Sequence, residues 1–140
     1  MLFRSKRYWN NPEANKNISD GWLKTADVGY FDGDGFLYIT GRTDDMINIA
    51  GEKVSPNEIE SVVRLLSDVE EVIAIGAKHD LFGQVVKVLI QKSKNSTIEK
   101  KDIMIHCIKN LERYKVPQII EFVDSFPRTD YGKIKRFMLR

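Results

Sequence analysis

The sequence predicts an α+β fold: a small domain of about three strands packed by two or three helices, preceded by a β-hairpin. Three observations carry this. Two aromatic and β-branched runs, GWLKTADVGYF and FLYITGR, flank the turn DGDG at 32–35, the pattern of a hairpin. Ile59, Val62, Val63 and Leu66 recur at i, i+3, i+4 and i+7, one apolar stripe of a helix. The runs VEEVIAIGA (69–77) and GQVVKVLIQ (83–91) are apolar and β-branched and are separated by HDLFG, as paired strands are.

Composition fits a folded domain. Of 140 residues, 42% are hydrophobic and 30% charged, which excludes collagen-like, low-complexity and fully disordered chains. No apolar run approaches the ~20 residues of a membrane helix, so no membrane span is expected. The start, MLFRSKRYWNNPE, lacks the apolar stretch of a signal peptide. The lone Cys107 cannot make an internal disulfide and fits a reducing, cytoplasmic compartment. With 22 basic and 20 acidic residues the net charge is +2, which argues against a dedicated nucleic-acid binder.

In chain order, residues 1–21 are polar and irregular, and Pro12 suits the first turn of a short helix. The hairpin comes next. Two paired strands are marginal alone in water, so the pair belongs to a larger sheet or docks on the domain after it. From Asp45 the pattern becomes a compact domain. MINIA (46–50) reads as a strand and 51–54 as a turn. Ser55 suits an N-cap, Pro56 the first helical position, and Glu58 completes the spacing of a capping box. After the two strands, a helix over 99–111 would bury Met104, Cys107, Ile108 and Leu111. VPQIIEFVDSFP holds a last strand, and YGKIKRFMLR reads as a short basic helix.

Three loops carry groups with chemistry. Asp27 and Arg42 bracket the hairpin. A carboxylate accepts from the paired hydroxyls of a ribose and a guanidinium donates several hydrogen bonds, although a solvated charge pair is the plainer alternative. Arg42, Asp44, Asp45, Glu52, Lys53 and Glu58 crowd one short strand between Gly41 and Gly51. Asp44 and Asp45 do not suit a metal pair, because neighbours on an extended chain point opposite ways; a helix-capping loop is the alternative. Lys133 comes after Gly132 in a turn, where its amine could reach a phosphate or a developing negative charge. The spacing is not that of a Walker loop, and a basic tail is the alternative. His79 and His106 form no ligand pattern, so no metal site is expected here.

Taken in order, "YWNNPEA…DGWLKTADVGYFDGDGFLYITGRTDDMINIAGEKVSPNEIE", "HDLFGQVVKVLI" and "YKVPQIIEFVDSFPRTDYGKIKR" resemble the acyl-adenylate-forming (AMP-dependent synthetase/ligase) superfamily, most of all its acyl-CoA synthetases. The resemblance covers nearly the whole chain. It implies an enzyme that joins a carboxylic acid to ATP with Mg2+, releases pyrophosphate, and passes the acyl group to CoA, as in fatty acid metabolism. It implies that 1–43 ends a large N-terminal domain absent from this chain, and that 44–140 is a mobile lid. The same resemblance gives Asp27 and Arg42 to the ATP ribose, Asp44 to the hinge, and Lys133 to the reacting carboxylate and α-phosphate. Gly51, Glu52 and Lys53 would line the tunnel for the CoA pantetheine. The family's phosphate-binding loop and acyl pocket lie in the absent domain, so the fragment alone is expected to be inactive. Two alternatives stand beside this: an adenylation domain that loads a carrier protein, and a non-catalytic interaction module with the lid fold. Two departures are visible. Ala26 stands where the family has glycine, so the loop forms unless that position needs φ > 0. Gln84 stands where a glutamate is usual.

Overall fold

Two units make up the computed structural model, Met1–Thr43 and Asp44–Arg140, and residues 6–139 are described. In the first unit, α1 (Pro12–Asn15) opens with Asn11 accepting the Ala14 N–H at 3.0 Å and Pro12 in its first turn. A two-residue ladder joins β1 (Ile18–Ser19) to β2 (Trp22–Leu23). The expected hairpin is β3 (Asp27–Phe31) paired antiparallel with β4 (Leu37–Arg42), with a register irregularity between Val28 and Gly29. Its turn is held by Asp32, whose Oδ1 accepts the N–H groups of Phe36 (2.9 Å) and Asp34 (3.0 Å). These bonds, Phe36 foremost, keep that carboxyl below the ordinary aspartate range. Tyr30 and Tyr38 stack across the strands at 5.4 Å.

The second unit contains one five-stranded sheet. Its elements are β5 (Ile47–Ile49), β6 (Glu52–Val54), α2 (Pro56–Val63), β7 (Val69–His79), β8 (Gly83–Lys92), α3 (Lys100–Asn110) and β9 (Ile119–Val123), with 3-10 turns at Arg113–Lys115 and Arg136–Met138. The sheet order is β6-β5-β8-β7. β8 pairs along its length with β7, and its other edge takes β5 at Gly83 and a parallel β9 at 87–91. Successive residues of β7 point to opposite faces. Val72 and Ala74 join Ile59, Val63, Ile103 and Cys107 in one core. Ile73 and Ile75 join Leu89 and Phe126 in a second, against which Ile134 and Leu139 pack. Helices therefore cover one face, and the C-terminal segment covers the other. Each fully buried side chain of this size contributes about 1.5–3 kcal/mol.

The α+β class holds, and the strand count is higher than the sequence suggested. Glu52–Val54, read as a turn, is a strand. The turn is only Ala50 and Gly51, at φ +50° and +97°, the two positive angles of a type I′ hairpin. Ser55 is the N-cap of α2, but its side chain makes no capping bond. Glu58 does not close a capping box either; it binds Lys115 Nζ at 2.8 Å, and that ion pair, with Glu112 at 3.2 Å, raises the lysine pKa. The capping box forms instead on α3, where Asp102 accepts the Glu99 N–H at 2.9 Å. On α3 the buried positions are Ile103 and Cys107. Ile108, expected inside, is 61% exposed. The expected C-terminal helix is the short 3-10 turn Arg136–Met138.

Candidate functional site

Asp27 and Arg42 are directly opposite at the open end of the β3–β4 hairpin. Arg42 Nη1 lies 3.2 Å from Asp27 Oδ1, and both side chains are partly exposed. The strands thus set a carboxylate, which only accepts, beside a guanidinium, which only donates. Just before Asp27, Ala26 has φ +64°. Its carbonyl accepts both the N–H (2.9 Å) and the Oγ1 hydroxyl (3.1 Å) of Thr43. The loop forms without glycine, at a left-handed cost of about 1–2 kcal/mol.

In the second unit, Asp44 and Asp45 line a cleft of about 410 Å³ together with Gly76, Lys78, Gln84 and Lys87. Gln84 accepts the Asn48 N–H at 2.8 Å and so ties β5 to β8. A glutamate could accept that bond equally well. Gly51 sits at the tip of the β5–β6 hairpin, its N–H donating to Asn48 Oδ1 at 3.0 Å. Open space surrounds the place a Cβ would take, so its positive φ is what favours glycine there. Glu52 and Lys53 come next, exposed on β6. Asn48, Gly51, Leu81 and Phe82 border an open cleft of about 570 Å³. Leu81 is 83% exposed. The Ala50 N–H donates to the Phe82 carbonyl at 2.9 Å, which holds the two loops side by side. His79 ends β7 and shapes the turn after it: its Nδ1 accepts the Leu81 and Phe82 N–H groups, and its ring stacks on Phe82.

Lys133 occupies a tight turn closed by the Arg128–Ile134 bridge. The Thr129 N–H donates to the Lys133 carbonyl (2.8 Å), and the Lys133 N–H donates to Thr129 Oγ1 (3.1 Å). Gly132, at φ +81°, makes the turn possible. The Lys133 side chain is exposed. Sequence reasoning missed the charged group that holds Arg136, three residues after Lys133. Among the described residues, Glu60 is the charged side chain that the fold buries, at 1% exposure. It accepts Arg136 Nη2 at 2.7 and 2.8 Å and the Ala74 N–H at 2.9 Å. The signal was present, because Pro56, Ile59, Glu60 and Val63 form the buried stripe of α2. An acid on such a stripe needs a partner.

Cys107 is core: burial pushes its thiol up to about 11. Among the described residues no group of three or more His, Cys, Asp or Glu could hold a metal ion. No helix among them is long and apolar enough to cross a membrane.

Residues 58–133, from α2 to the Lys133 turn, match the model of the AMP-binding enzyme C-terminal domain family. The chain belongs to this family. It is 40% identical over 133 residues to the oxalate–CoA ligase of Arabidopsis thaliana, covering 94% of this chain and 26% of that protein. It is 42% identical over 134 residues to a long-chain-fatty-acid–CoA ligase of Yersinia pestis, covering 95% and 24%. Among solved structures, it resembles the o-succinylbenzoate CoA synthetase of Bacillus subtilis in complex with the acyl-adenylate intermediate OSB-AMP, with a TM-score of 0.87 and 34% identity over 96% of this chain and 28% of that one. The chain thus spans about a quarter of the length of the curated relatives it matches. In this AMP-binding C-terminal domain, Lys133 is the last residue of the matched stretch.

Proposed function

We propose that the chain is the C-terminal part of an ATP-dependent, cytoplasmic acyl-CoA synthetase, which adenylates a carboxylic acid and then forms its CoA thioester. The observation that carries this reading is the joint presence, in a member of the family, of the Asp27–Arg42 pair and the exposed Lys133 turn. In this reading residues 1–43 complete a large N-terminal domain that also holds the ATP phosphates and Mg2+. The exposed Phe31, Phe36 and Ile39 of the hairpin support it, since such a surface calls for a covering partner. Asp27 and Arg42 hold the ribose hydroxyls of ATP. Lys133 supplies a cation where negative charge builds between carboxylate and α-phosphate. Asp44 is the hinge about which residues 44–140 turn between the two half-reactions, a task that falls to a few residues absorbing a large backbone change. Gly51, Glu52 and Lys53 then line the pantetheine path. The named relatives differ in their acids, from oxalate to long-chain fatty acids, so the acyl group is chosen outside this quarter.

The test is a graft. Residues 6–140 replace the matching quarter of the Arabidopsis oxalate–CoA ligase. Oxalate-dependent AMP release and oxalyl-CoA formation are expected, whereas the 140-residue chain alone forms no adenylate. A folded graft lacking both half-reactions contradicts the reading. Asp44→Pro fixes φ near −65° and is expected to suppress one half-reaction selectively; normal rates in both would move the hinge elsewhere.

A further inference from the structure

We propose that Arg128 and Arg136 are positioning residues for Lys133, joined in a relay of alternating charges that runs from the C-terminal segment through α2 and β7. The catalytic part of this proposal rests on the adenylation role proposed for Lys133; the mechanical part rests on the geometry alone. The relay starts at Arg136, three residues after Lys133, which forks onto the buried Glu60 of α2 and also donates through Nη1 to the Ala74 carbonyl of β7 at 3.3 Å. Arg64, one helical turn on, lies 3.6 Å from Glu60 and 3.1 Å from Glu71 of β7. Glu71 lies 3.4 Å from Arg128. Arg128 closes the path on the turn itself, its Nη1 donating to the Gly132 carbonyl at 2.9 Å. That carbonyl belongs to the peptide immediately before Lys133. The turn is therefore gripped on one side by Arg128 and anchored on the other by Arg136, and both grips end on regular elements of the sheet and helix.

Three features favour positioning over incidental surface pairing. Glu60 is fully buried and takes three hydrogen bonds, so its partner Arg136 has one geometry available. The Arg128 fork serves Glu71 and a backbone carbonyl at once, which a lysine cannot reproduce. Ile134 and Leu139 lay the same segment on the second core, which fixes its direction. A flexible amine on a loose turn would lose the benefit of preorganisation, and a misplacement of about 1 Å can cost about 10²-fold in rate.

Arg128→Met tests this, because Arg128 is partly exposed and its loss leaves Glu60 paired. In the 140-residue chain, hydrogen exchange at the Gly132 and Lys133 amides is expected to speed about tenfold, the scale of one charged hydrogen bond, while the Val86 and Val88 amides stay unchanged. In the graft, adenylation falls by about 10–100-fold while thioester formation from preformed adenylate is unaltered. Arg128→Lys restores part of the exchange protection and part of the rate. Unchanged exchange at Gly132 and Lys133 overturns the grip, and equal loss in both half-reactions reduces the relay to a structural one. If Lys133→Ala in the same graft spares adenylation, the role of Lys133 fails, while the exchange result still decides whether the relay holds the turn.

Discussion

The hairpin unit and the sheet unit use the same alphabet of aromatic and β-branched strands, yet among the described residues only the sheet unit has an interior. In the second unit Ile47, Ile59, Val72, Val88, Ile90 and Ile103 are all but fully buried. In the first, no described residue is buried, and Trp9, Phe31, Phe36 and Ile39 are each at least 60% exposed. Pairing of strands supplies hydrogen bonds, but burial of a face supplies most of the stability, and a lone ladder has no second layer to cover it. The candidate ribose pair stands on the unit whose described residues form no core, and the candidate adenylation lysine stands on the unit with two.

The largest expected effect tests the polar joint of the second unit. Arg136→Met leaves the buried Glu60 with the Ala74 N–H and the more distant Arg64 alone, and should lower stability by about 3–5 kcal/mol. Urea denaturation followed by circular dichroism would show it. Both tryptophans, Trp9 and Trp22, lie in the first unit and are exposed, so their fluorescence should not track that shift. Next, Ile103→Ala should cost about 2–5 kcal/mol, against less than about 0.5 kcal/mol for the exposed Ile39→Ala. Equal costs would erase the contrast between the units. A smaller, opposite effect is expected at Ala50, which holds φ +50° in the β5–β6 turn. Ala50→Gly should raise stability by about 0.5–1 kcal/mol, the relief of left-handed strain less the added chain entropy. Ala26→Gly relieves the same strain in the hairpin and should leave the melting of the sheet unit where it was.

The smallest effect is a pH dependence. Burial raises the Cys107 thiol from 9.0 to about 11. Between these values the unfolded thiol has lost its proton and the folded one keeps it. The folded state then binds more protons, so stability falls as pH rises from about 9 towards 11. Cys107→Ser should flatten that slope in denaturation series, and native Cys107 should resist thiol reagents until the sheet unit unfolds.

Much of this architecture was legible in the sequence, and the exceptions share a cause. Strands 69–77 and 83–91 and the helix stripe at Ile59 and Val63 were readable because local pattern and burial agree there. Glu52–Val54 was hidden because three residues carry no periodicity, and Ile108 misled because the α3 face is set by Ile103. The capping box at Glu58 lost to Lys115, a partner 57 residues away that no local rule sees. The site divides similarly. Asp27, Arg42 and Lys133 stand in segments whose order carries a resemblance, so they could be named early. Glu60 and Arg136 are 76 residues apart, and only the folded sheet brings them together.

The most direct measurement compares the two half-reactions of the grafted ligase with and without Lys133→Ala. The proposed division of labour predicts a loss of about 10²–10³-fold in adenylation, the scale of one preorganised donor, with thioester formation from preformed adenylate unchanged. Equal losses in both steps, or none in adenylation, would contradict it.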